Sequence, residues 1–191
     1  IEPSVEKQKT AAAMLFLIGG LPSMYYGQEI GMQGKSWSFG NTGGNDIPRR
    51  EAFEWYSNPE GKGMELWYKN TGQWWSKTNL KANDGISLEE QKNNSKSLFN
   101  HYKTLINLKQ SNPALAKGNY ALAENNNSQV FSFYRTYNEQ KLLVVVNLSN
   151  EGQTANFAQD QKMGNKLYGE STFTENVIQL KPYEVVVIEV K

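Results

Sequence analysis

Apolar positions near the N-terminus predict a helix followed by a buried strand. Residues 4–18 are predicted to form the helix: the run Thr10–Ile18 has high helix propensity, Ser4 is suited to cap its start, and Gly19-Gly20 is suited to end it. The apolar segment Leu21–Tyr26 then predicts a short buried strand. A helix, a tight glycine turn and a buried strand form half of a parallel β/α unit, in which the strand needs neighbours on both sides.

The middle of the chain, residues 31–94, is rich in loops and aromatic side chains. It holds all five tryptophans of the sequence: Trp37, Trp55, Trp67, Trp74 and Trp75. Loops of this length in a compact domain are usually binding loops or lids. The spacing Ser87-Leu88-Glu89-Glu90 predicts a capping box that opens a short helix. An apolar face from Leu98 to Ile106 predicts a longer helix, which Asn112-Pro113 ends.

The C-terminal part of the chain has the pattern of short β-strands. Val130–Tyr137 alternates in polarity, whereas Leu142–Val146 and Val185–Val190 are continuous apolar runs rich in β-branched residues. The segments 147–152 and 181–182 between them have turn composition. Short strands separated by turns predict a small antiparallel β-sandwich.

Composition excludes several classes of function. The sequence has 20 Lys and Arg residues against 19 Asp and Glu residues, and it shows no basic stripe of the kind that binds nucleic acid. It has no cysteine, so a disulfide framework or a thiolate metal site is excluded. The longest apolar run, Ala11–Ile18, is too short to span a bilayer, which predicts no transmembrane segment. Because Ile1 is not an initiator methionine, we expect the chain to be part of a longer protein.

Two segments carry a resemblance to a known family. Residues 20–32 read GLPSMYYGQEIGM, and residues 43–55 read GGNDIPRREAFEW. Their order and spacing resemble the last β/α unit of the catalytic barrel in the α-amylase family of glycoside hydrolases, with most similarity to Bacteroidetes-type starch amylases. The resemblance implies an α+β chain. Residues 1–117 would be the remnant of a (β/α)8 barrel, consisting of its last strand and flanking helices, and residues 118–191 would be the C-terminal β-sandwich.

The same resemblance implies that the catalytic groups lie elsewhere. The family is retaining, and retaining enzymes need two carboxyl groups about 5 Å apart. Its catalytic carboxylates lie at the ends of barrel strands four, five and seven, whereas this sequence shows only the eighth. We therefore expect a C-terminal fragment without catalytic residues, which lacks the N-terminal barrel portion and is inactive alone. The resemblance implies no cofactor or metal in this chain, leaves calcium to the parent protein, and suggests a secreted, periplasmic or cell-surface bacterial parent.

Asp46 and Arg50 are the main candidates for substrate binding. The spacing Asn45-Asp46-x-x-x-Arg50-Glu51 matches a family motif whose Asp and Arg hydrogen-bond glucosyl hydroxyls. A carboxylate accepts two sugar O–H groups and a planar guanidinium donates to two oxygens, so the pair would fix the orientation of a ring. The alternative is an Asp–Arg ion pair that only holds the loop, and both roles are compatible with each other.

Other residues are weaker candidates. Trp55, close to Asp46 and Arg50, could offer a flat apolar face to a sugar ring, although aromatics in long loops usually pack within the loops. We interpret Arg49 and Glu51 as part of a surface salt-bridge cluster, which contributes little. Glu29 is expected to be structural, and His101 is expected to lie on a helix surface without a catalytic role.

The sequence thus predicts a fragment of an α-amylase-like enzyme that acts on α-1,4-glucans, meaning starch and maltooligosaccharides. Two alternatives remain open. The chain could be a non-catalytic glucan-binding module, in which aromatic loops bind glucan without cleaving it. It could also be a purely structural β domain that covers the barrel and binds no ligand.

Overall fold

The computed structural model describes residues 4–35, 38, 40, 44–71 and 78–191. The helices are α1 (Val5–Leu17), α2 (Leu88–Gln91), α3 (Leu98–Ser111) and α4 (Pro113–Lys117), with 3₁₀ turns at Gln28–Ile30 and Ile47–Arg49. The strands are β1 (Asn119–Leu122), β2 (Val130–Tyr137), β3 (Gln140–Asn147), β4 (Gln153–Asn156), β5 (Met163–Tyr168), β6 (Phe173–Thr174), β7 (Val177–Leu180) and β8 (Val185–Val190).

The chain forms two compact units. The first joins the N-terminal segment up to Ser23 with Tyr102–Lys191, and the second is Met24–His101. The units are defined by contacts between residues, and their boundaries differ from those of a barrel portion and a β domain. The predicted division into residues 1–117 and 118–191 therefore stays a prediction.

The N-terminal helix is confirmed. Ser4 caps α1, because its side-chain oxygen accepts a hydrogen bond from the backbone N–H of Lys7 at 3.3 Å. Gly19 and Gly20 follow the helix with φ angles of 127° and 70°, which side chains rarely adopt. Gly19 is also needed for space, since a Cβ there would lie 2.3 Å from Nη1 of Arg135.

The predicted buried strand over Leu21–Tyr26 is wrong. Residues 21–26 are not in a strand, and the side chain of Leu21 is 97% exposed. Tyr25 and Tyr26 are also exposed. The physical reason is that a parallel strand takes its hydrogen bonds and its burial from neighbours on both sides. No such strands flank this segment among the described residues, so it has no regular structure and is largely exposed.

The predicted helices of the middle region are confirmed. Ser87 and Glu90 form the capping box at the start of α2, each side chain bonding the other's backbone N–H. In α3, the predicted apolar face is buried at Leu98, Tyr102 and Leu105. The helix ends before Pro113, which opens α4 in its first turn, where the missing N–H costs nothing.

The predicted β-sandwich is confirmed. One sheet has the strand order β1-β2-β3-β8-β5 and the other has the order β4-β7-β6, and all paired strands are antiparallel. Their common core contains side chains from both sheets: Ala123, Val130, Leu143, Val145, Ala155, Phe157, Ile178, Leu180, Val186 and Ile188. The fold is therefore α+β, with an antiparallel β-sandwich after an irregular helical region.

Both faces of β3 are covered, which explains its unbroken apolar sequence. Leu143 and Val145 face the sandwich core, while Leu142 and Val144 on the opposite face are fully buried as well. Helix α4 packs on β2 and β3. A strand buried on both faces has no position where a polar side chain reaches water, so the sequence loses its alternation.

A buried arginine joins the helices to the sandwich within the first unit. Arg135 on β2 donates hydrogen bonds to the backbone carbonyls of Ile18 at 2.9 Å, Ala114 at 3.3 Å and Leu115 at 3.4 Å. The Ala114 carbonyl also accepts the Gly118 N–H at 3.1 Å, and the Leu115 carbonyl also accepts from Lys109 Nζ at 3.1 Å, whereas that of Ile18 lies at the C-terminal cap of α1. The Arg135 guanidinium therefore links the C-terminal end of α1 to α4 through hydrogen bonds to their carbonyls.

We expect Arg135→Ala to lower the free energy of unfolding by about 3 kcal/mol, because it removes the hydrogen bonds that a buried guanidinium donates to Ile18, Ala114 and Leu115. Urea unfolding followed by far-UV circular dichroism measures this change. Lys117→Ala, which removes a charge of the same sign at an exposed position of α4, is the matched control and should change stability little. Equal stability of the two variants would show that the Arg135 hydrogen bonds are dispensable.

Candidate functional site

The structure brings Asp46 and Arg50 together at the ends of one 3₁₀ turn. The backbone N–H of Arg49 donates to the Asp46 carbonyl at 3.0 Å, and that of Arg50 donates to the Ile47 carbonyl at 2.9 Å. Pro48 favours this turn, because its ring fixes φ near the helical value. As a result the Arg50 guanidinium donates to Asp46 Oδ2, and both side chains remain exposed to solvent.

The Asp46–Arg50 pair lies beside a cavity of about 540 Å³, here called the pair cavity. Tyr25, Gly34 and Arg49 line it together with the pair. Gly34 allows a close approach of two backbone segments, since a Cβ there would lie 2.4 Å from Cα of Arg49. The adjacent Lys35 N–H bonds the Pro48 carbonyl at 2.9 Å, so the segment before the turn and the turn itself are fixed to each other.

A second cavity of about 390 Å³ is also lined by Arg50. Its lining residues combine aromatic and charged side chains: Tyr26, Arg50, Glu51, Ala52, Phe53, Glu65 and Trp67. Trp67 is 55% exposed and makes an edge-to-face contact with buried Tyr68, with ring centroids 5.2 Å apart. We call this space the Trp67 cavity. Arg50 lines both cavities, so the two are neighbours.

Among the described residues that line the two cavities, Trp55 does not occur. Its ring packs against Phe53 with centroids 4.4 Å apart, and its carbonyl accepts a hydrogen bond from the N–H of Glu89 in α2. Trp55 is 47% exposed. A role for Trp55 in binding substrate therefore stays a prediction, and the tryptophans Trp37, Trp74 and Trp75 lie outside the described residues.

Glu51 is buried, which corrects its interpretation as part of a surface salt-bridge cluster. Its side chain is 3% exposed. Oε1 accepts a hydrogen bond from the Asn79 backbone N–H, whereas Oε2 is buried and has no partner among the described residues. Burial raises the pKa of the Glu51 carboxyl to about 7, and the Asn79 N–H and the Lys35 charge only partly oppose this effect.

A second buried acid, Glu54, was not predicted from the sequence. It is 4% exposed, and burial is the main reason that its pKa is raised to about 8. The negative charges of Asp84, Glu51 and Glu90 raise this pKa further. No local signal in the sequence predicts this burial, because glutamates are mostly exposed in folded proteins.

Hydrogen bonds from three parts of the second unit hold the segment that follows Arg50. The Tyr26 hydroxyl donates to the Glu51 carbonyl at 2.8 Å, and the Ala52 N–H donates to the Tyr68 hydroxyl at 3.0 Å. The Leu88 N–H donates to the Glu54 carbonyl at 2.8 Å. Burial raises the pKa of Tyr68 to about 12, so its hydroxyl stays protonated at neutral pH. Arg50 therefore begins a firmly held segment.

The remaining candidates lie apart from these cavities. Glu29 lies in a 3₁₀ turn bounded by Gly27 and Gly31, both with positive φ, and His101 lies within α3. In the part of the chain that the structure describes, no three His, Cys, Asp or Glu side chains are grouped so that they could hold a metal ion. No described helix is long and apolar enough to cross a membrane.

An irregular helical region followed by an antiparallel sandwich defines an α+β protein with a C-terminal β domain. The family model described as "Alpha amylase, catalytic domain" matches residues 2–118, and that described as "Alpha-amylase SusG C-terminal domain" matches residues 130–187. The chain belongs to the α-amylase family of glycoside hydrolases. This finding confirms the resemblance carried by residues 20–32 and 43–55.

Individual relatives agree with this assignment. Alpha-amylase 3 of Dictyoglomus thermophilum is 29% identical over 188 residues, covering 98% of this chain and 35% of the relative. Alpha-amylase SusG of Bacteroides thetaiotaomicron is 29% identical over 153 residues, covering 75% of this chain and 20% of the relative. The structure of Eubacterium rectale Amy13B superposes with a TM-score of 0.77 at 25% identity, covering 98% of this chain and 35% of that one. The chain thus spans about a third or less of the length of these relatives.

The buried acids predict a stability that falls as pH rises. The pKa values of Glu51 and Glu54 are raised in the folded state, so the folded state loses stability as pH rises from the ordinary value of 4.5 to about 7 for Glu51 and to about 8 for Glu54. For Glu51 the shift from 4.5 to about 7 corresponds to a loss on the order of 3 kcal/mol. We expect a lower melting temperature at pH 9 than at pH 5.5, measured by differential scanning calorimetry.

Glu51→Gln and Glu54→Gln should each flatten this pH dependence, because an amide keeps the shape of the side chain and cannot ionise. Glu124→Gln, at an exposed position, serves as the control and should retain the full dependence. A melting temperature that stays constant or rises between pH 5.5 and 9 in the unsubstituted chain would contradict the burial of neutral carboxyls.

Proposed function

We propose that this chain is the substrate-binding C-terminal part of a retaining α-amylase-like glycoside hydrolase that acts on α-1,4-glucans such as starch and maltooligosaccharides. The observation that carries this proposal is the Asp46–Arg50 pair at the edge of the pair cavity. A carboxylate and a guanidinium side by side offer acceptors and donors to neighbouring hydroxyls of one sugar ring. The names of the relatives, two α-amylases, support the same substrate class.

The pair is suited to binding rather than to bond cleavage. Retaining hydrolysis needs two carboxyl groups about 5 Å apart, one as nucleophile and one as acid. Here the carboxylate of Asp46 is paired with a cation, and the acids Glu51 and Glu54 are buried. We propose that the catalytic carboxylates belong to barrel strands outside this chain, and that Asp46 and Arg50 hold a glucosyl unit away from the cleaved bond.

The Asp46–Arg50 ion pair orients both side chains for contact with a sugar. Arg50 retains several N–H donors beyond the one that Asp46 accepts, and Asp46 retains acceptor capacity on its carboxylate. The pair holds each side chain in one orientation before substrate arrives, which lowers the entropy cost of binding. Exposure of both side chains keeps these remaining groups available to sugar hydroxyls.

Substitution of the pair should weaken binding without removing the chemistry. In the complete protein, we expect Asp46→Ala or Arg50→Ala to lower kcat/KM by roughly 10- to 150-fold, because a hydrogen bond to a charged group contributes about 1.5–3 kcal/mol. Arg50→Lys should restore little, since an ammonium lacks the planar fork of donors. Steady-state kinetics on maltooligosaccharides of increasing length provide the measurement. Unchanged kinetics at all lengths, together with a lower melting temperature, would assign the pair a purely structural role.

The chain alone should release no reducing sugar from soluble starch. The reason is that the family's catalytic carboxylates have no counterpart in its sequence, and the complete protein under the same conditions is the positive control. Release above a buffer blank would overturn the assignment of catalysis to other strands. Retardation of an inactive complete protein in starch gels would instead support a glucan-binding module, and absence of both activities would support a structural β domain.

A further inference from the structure

Residues 51–55 follow Arg50 directly and contain two buried acids. Glu51 is 3% exposed and Glu54 is 4% exposed. The binding role proposed for the Asp46–Arg50 pair does not involve either of these carboxyl groups. Glutamates are almost never fully buried unless they are paired, so two of them in five residues beside a candidate binding residue need an explanation.

The surroundings of Glu51 favour a neutral carboxyl group. Its Oε1 accepts a hydrogen bond from the Asn79 N–H at 2.5 Å, and its Oε2 is buried with no partner among the described residues. The charge of exposed Lys35 compensates the burial only in part. The hydroxyls of Tyr26 and Tyr68 are uncharged at neutral pH, and burial raises their pKa values further. An ionised Glu51 would therefore be a buried charge without an adequate partner, which is costly.

The groups around Glu54 oppose its ionisation as well. The charged groups that act on it are Asp84, Glu51 and Glu90, all of them acidic. Glu90 is held in place by the capping box at the start of α2. Like charges disfavour the ionised form of a carboxyl, so the start of α2 repels Glu54 once it is charged.

The hydrogen bonds that anchor this segment lie within the second unit. The Ala52 N–H donates to the Tyr68 hydroxyl at 3.0 Å, and the Leu88 N–H donates to the Glu54 carbonyl at 2.8 Å. The segment has no regular secondary structure, and such regions open locally at a lower cost in free energy than core strands. A local opening would release Arg50 from its position while the β-sandwich stays folded.

We propose that residues 51–55 form a pH-dependent conformational switch for the Asp46–Arg50 pair. In the closed state Glu51 and Glu54 are neutral and buried, and Arg50 is held beside the pair cavity. In the open state both carboxyls are ionised in water, the anchoring hydrogen bonds are broken, and Arg50 loses its fixed position. Rising pH favours the open state, because only there do both acids ionise freely. The switch rests on the proposed function only in that Arg50 binds the substrate.

Hydrogen exchange in the complete protein tests the switch directly. Mass spectrometry follows peptides that contain Ala52 and Leu88 at pH 5.5 and 8.5, with labelling times scaled to the intrinsic exchange rate at each pH. We expect protection of these amides to fall by at least about 10-fold at the higher pH, because burial raises the pKa of Glu51 from 4.5 to about 7. At both pH values they should exchange faster than the amides of β3, which marks a local opening.

Substitution of both acids should abolish this response. Glu51→Gln combined with Glu54→Gln removes the titrating groups and keeps the shapes of the side chains, so protection of Ala52 and Leu88 should be the same at both pH values. Glu124→Gln, at an exposed position, is the matched control and should keep the full pH dependence. Thermal melting at pH 5.5 checks that each variant is folded, and each single substitution should remove part of the response if the double variant does not fold.

Steady-state kinetics of the complete protein relate the switch to substrate binding. In the unsubstituted protein we expect KM for maltoheptaose to rise several-fold between pH 5.5 and 8.5, because the position of Arg50 is lost. In the double variant KM should stay constant over this range. Catalytic groups outside this chain change kcat with pH in both proteins, so the comparison between the two proteins uses KM.

The outcomes separate the switch from the proposed function. Equal protection of Ala52 and Leu88 at both pH values in the unsubstituted protein, or exchange no faster than in β3, would overturn the switch. A pH-dependent opening that leaves KM unchanged would overturn its control of binding. Unchanged kinetics in Asp46→Ala and Arg50→Ala would instead overturn the proposed function, and the exchange result would stand.

Discussion

The hydrogen bonds that hold residues 51–55 are the constraint on which the candidate site depends. Four backbone groups of this short segment bond to Tyr26, Tyr68 and the start of α2, which are distant from one another in sequence. The segment has no regular secondary structure of its own. Its backbone groups still need partners, and the two tyrosine hydroxyls and the capped helix supply them. Arg50 and both cavities take their positions from this arrangement.

Local signals in the sequence predicted most of the regular structure. The Ser4 cap, the Ser87–Glu90 capping box and the β-branched runs act over a few residues, so they can be recognised without knowledge of the fold. The strand over 21–26 failed for the opposite reason, because its stability depends on neighbours that are distant in sequence. The family resemblance indicated where a barrel strand should lie, and the physical conditions for a strand are not met within the described residues.

The candidate site was predictable only in part. The sequence predicted that Asp46 and Arg50 act together, either on a sugar ring or as an ion pair, and the structure brings their side chains together. The burial of Glu51 and Glu54 could not be predicted, because it is imposed by Tyr68, Asn79 and other residues far along the chain. For the same reason the sequence favoured Trp55, which is near Arg50 in sequence, over Trp67, which lines a cavity with it.

Asp46 is exposed and Glu51 is buried, and this difference explains how Arg50 can be exposed to a ligand and still keep a fixed position. An exposed ion pair contributes little to stability, so the Asp46–Arg50 pair cannot by itself hold the loop. The next residue, Glu51, is buried, and burial raises the pKa of its carboxyl group. Its backbone carbonyl accepts a hydrogen bond from the Tyr26 hydroxyl. The buried groups around Glu51 thus hold the segment in place, and the exposed charges of Asp46 and Arg50 are left to bind a ligand. This division allows the pair to keep unused donors and acceptors for a ligand without destabilising the segment that carries it.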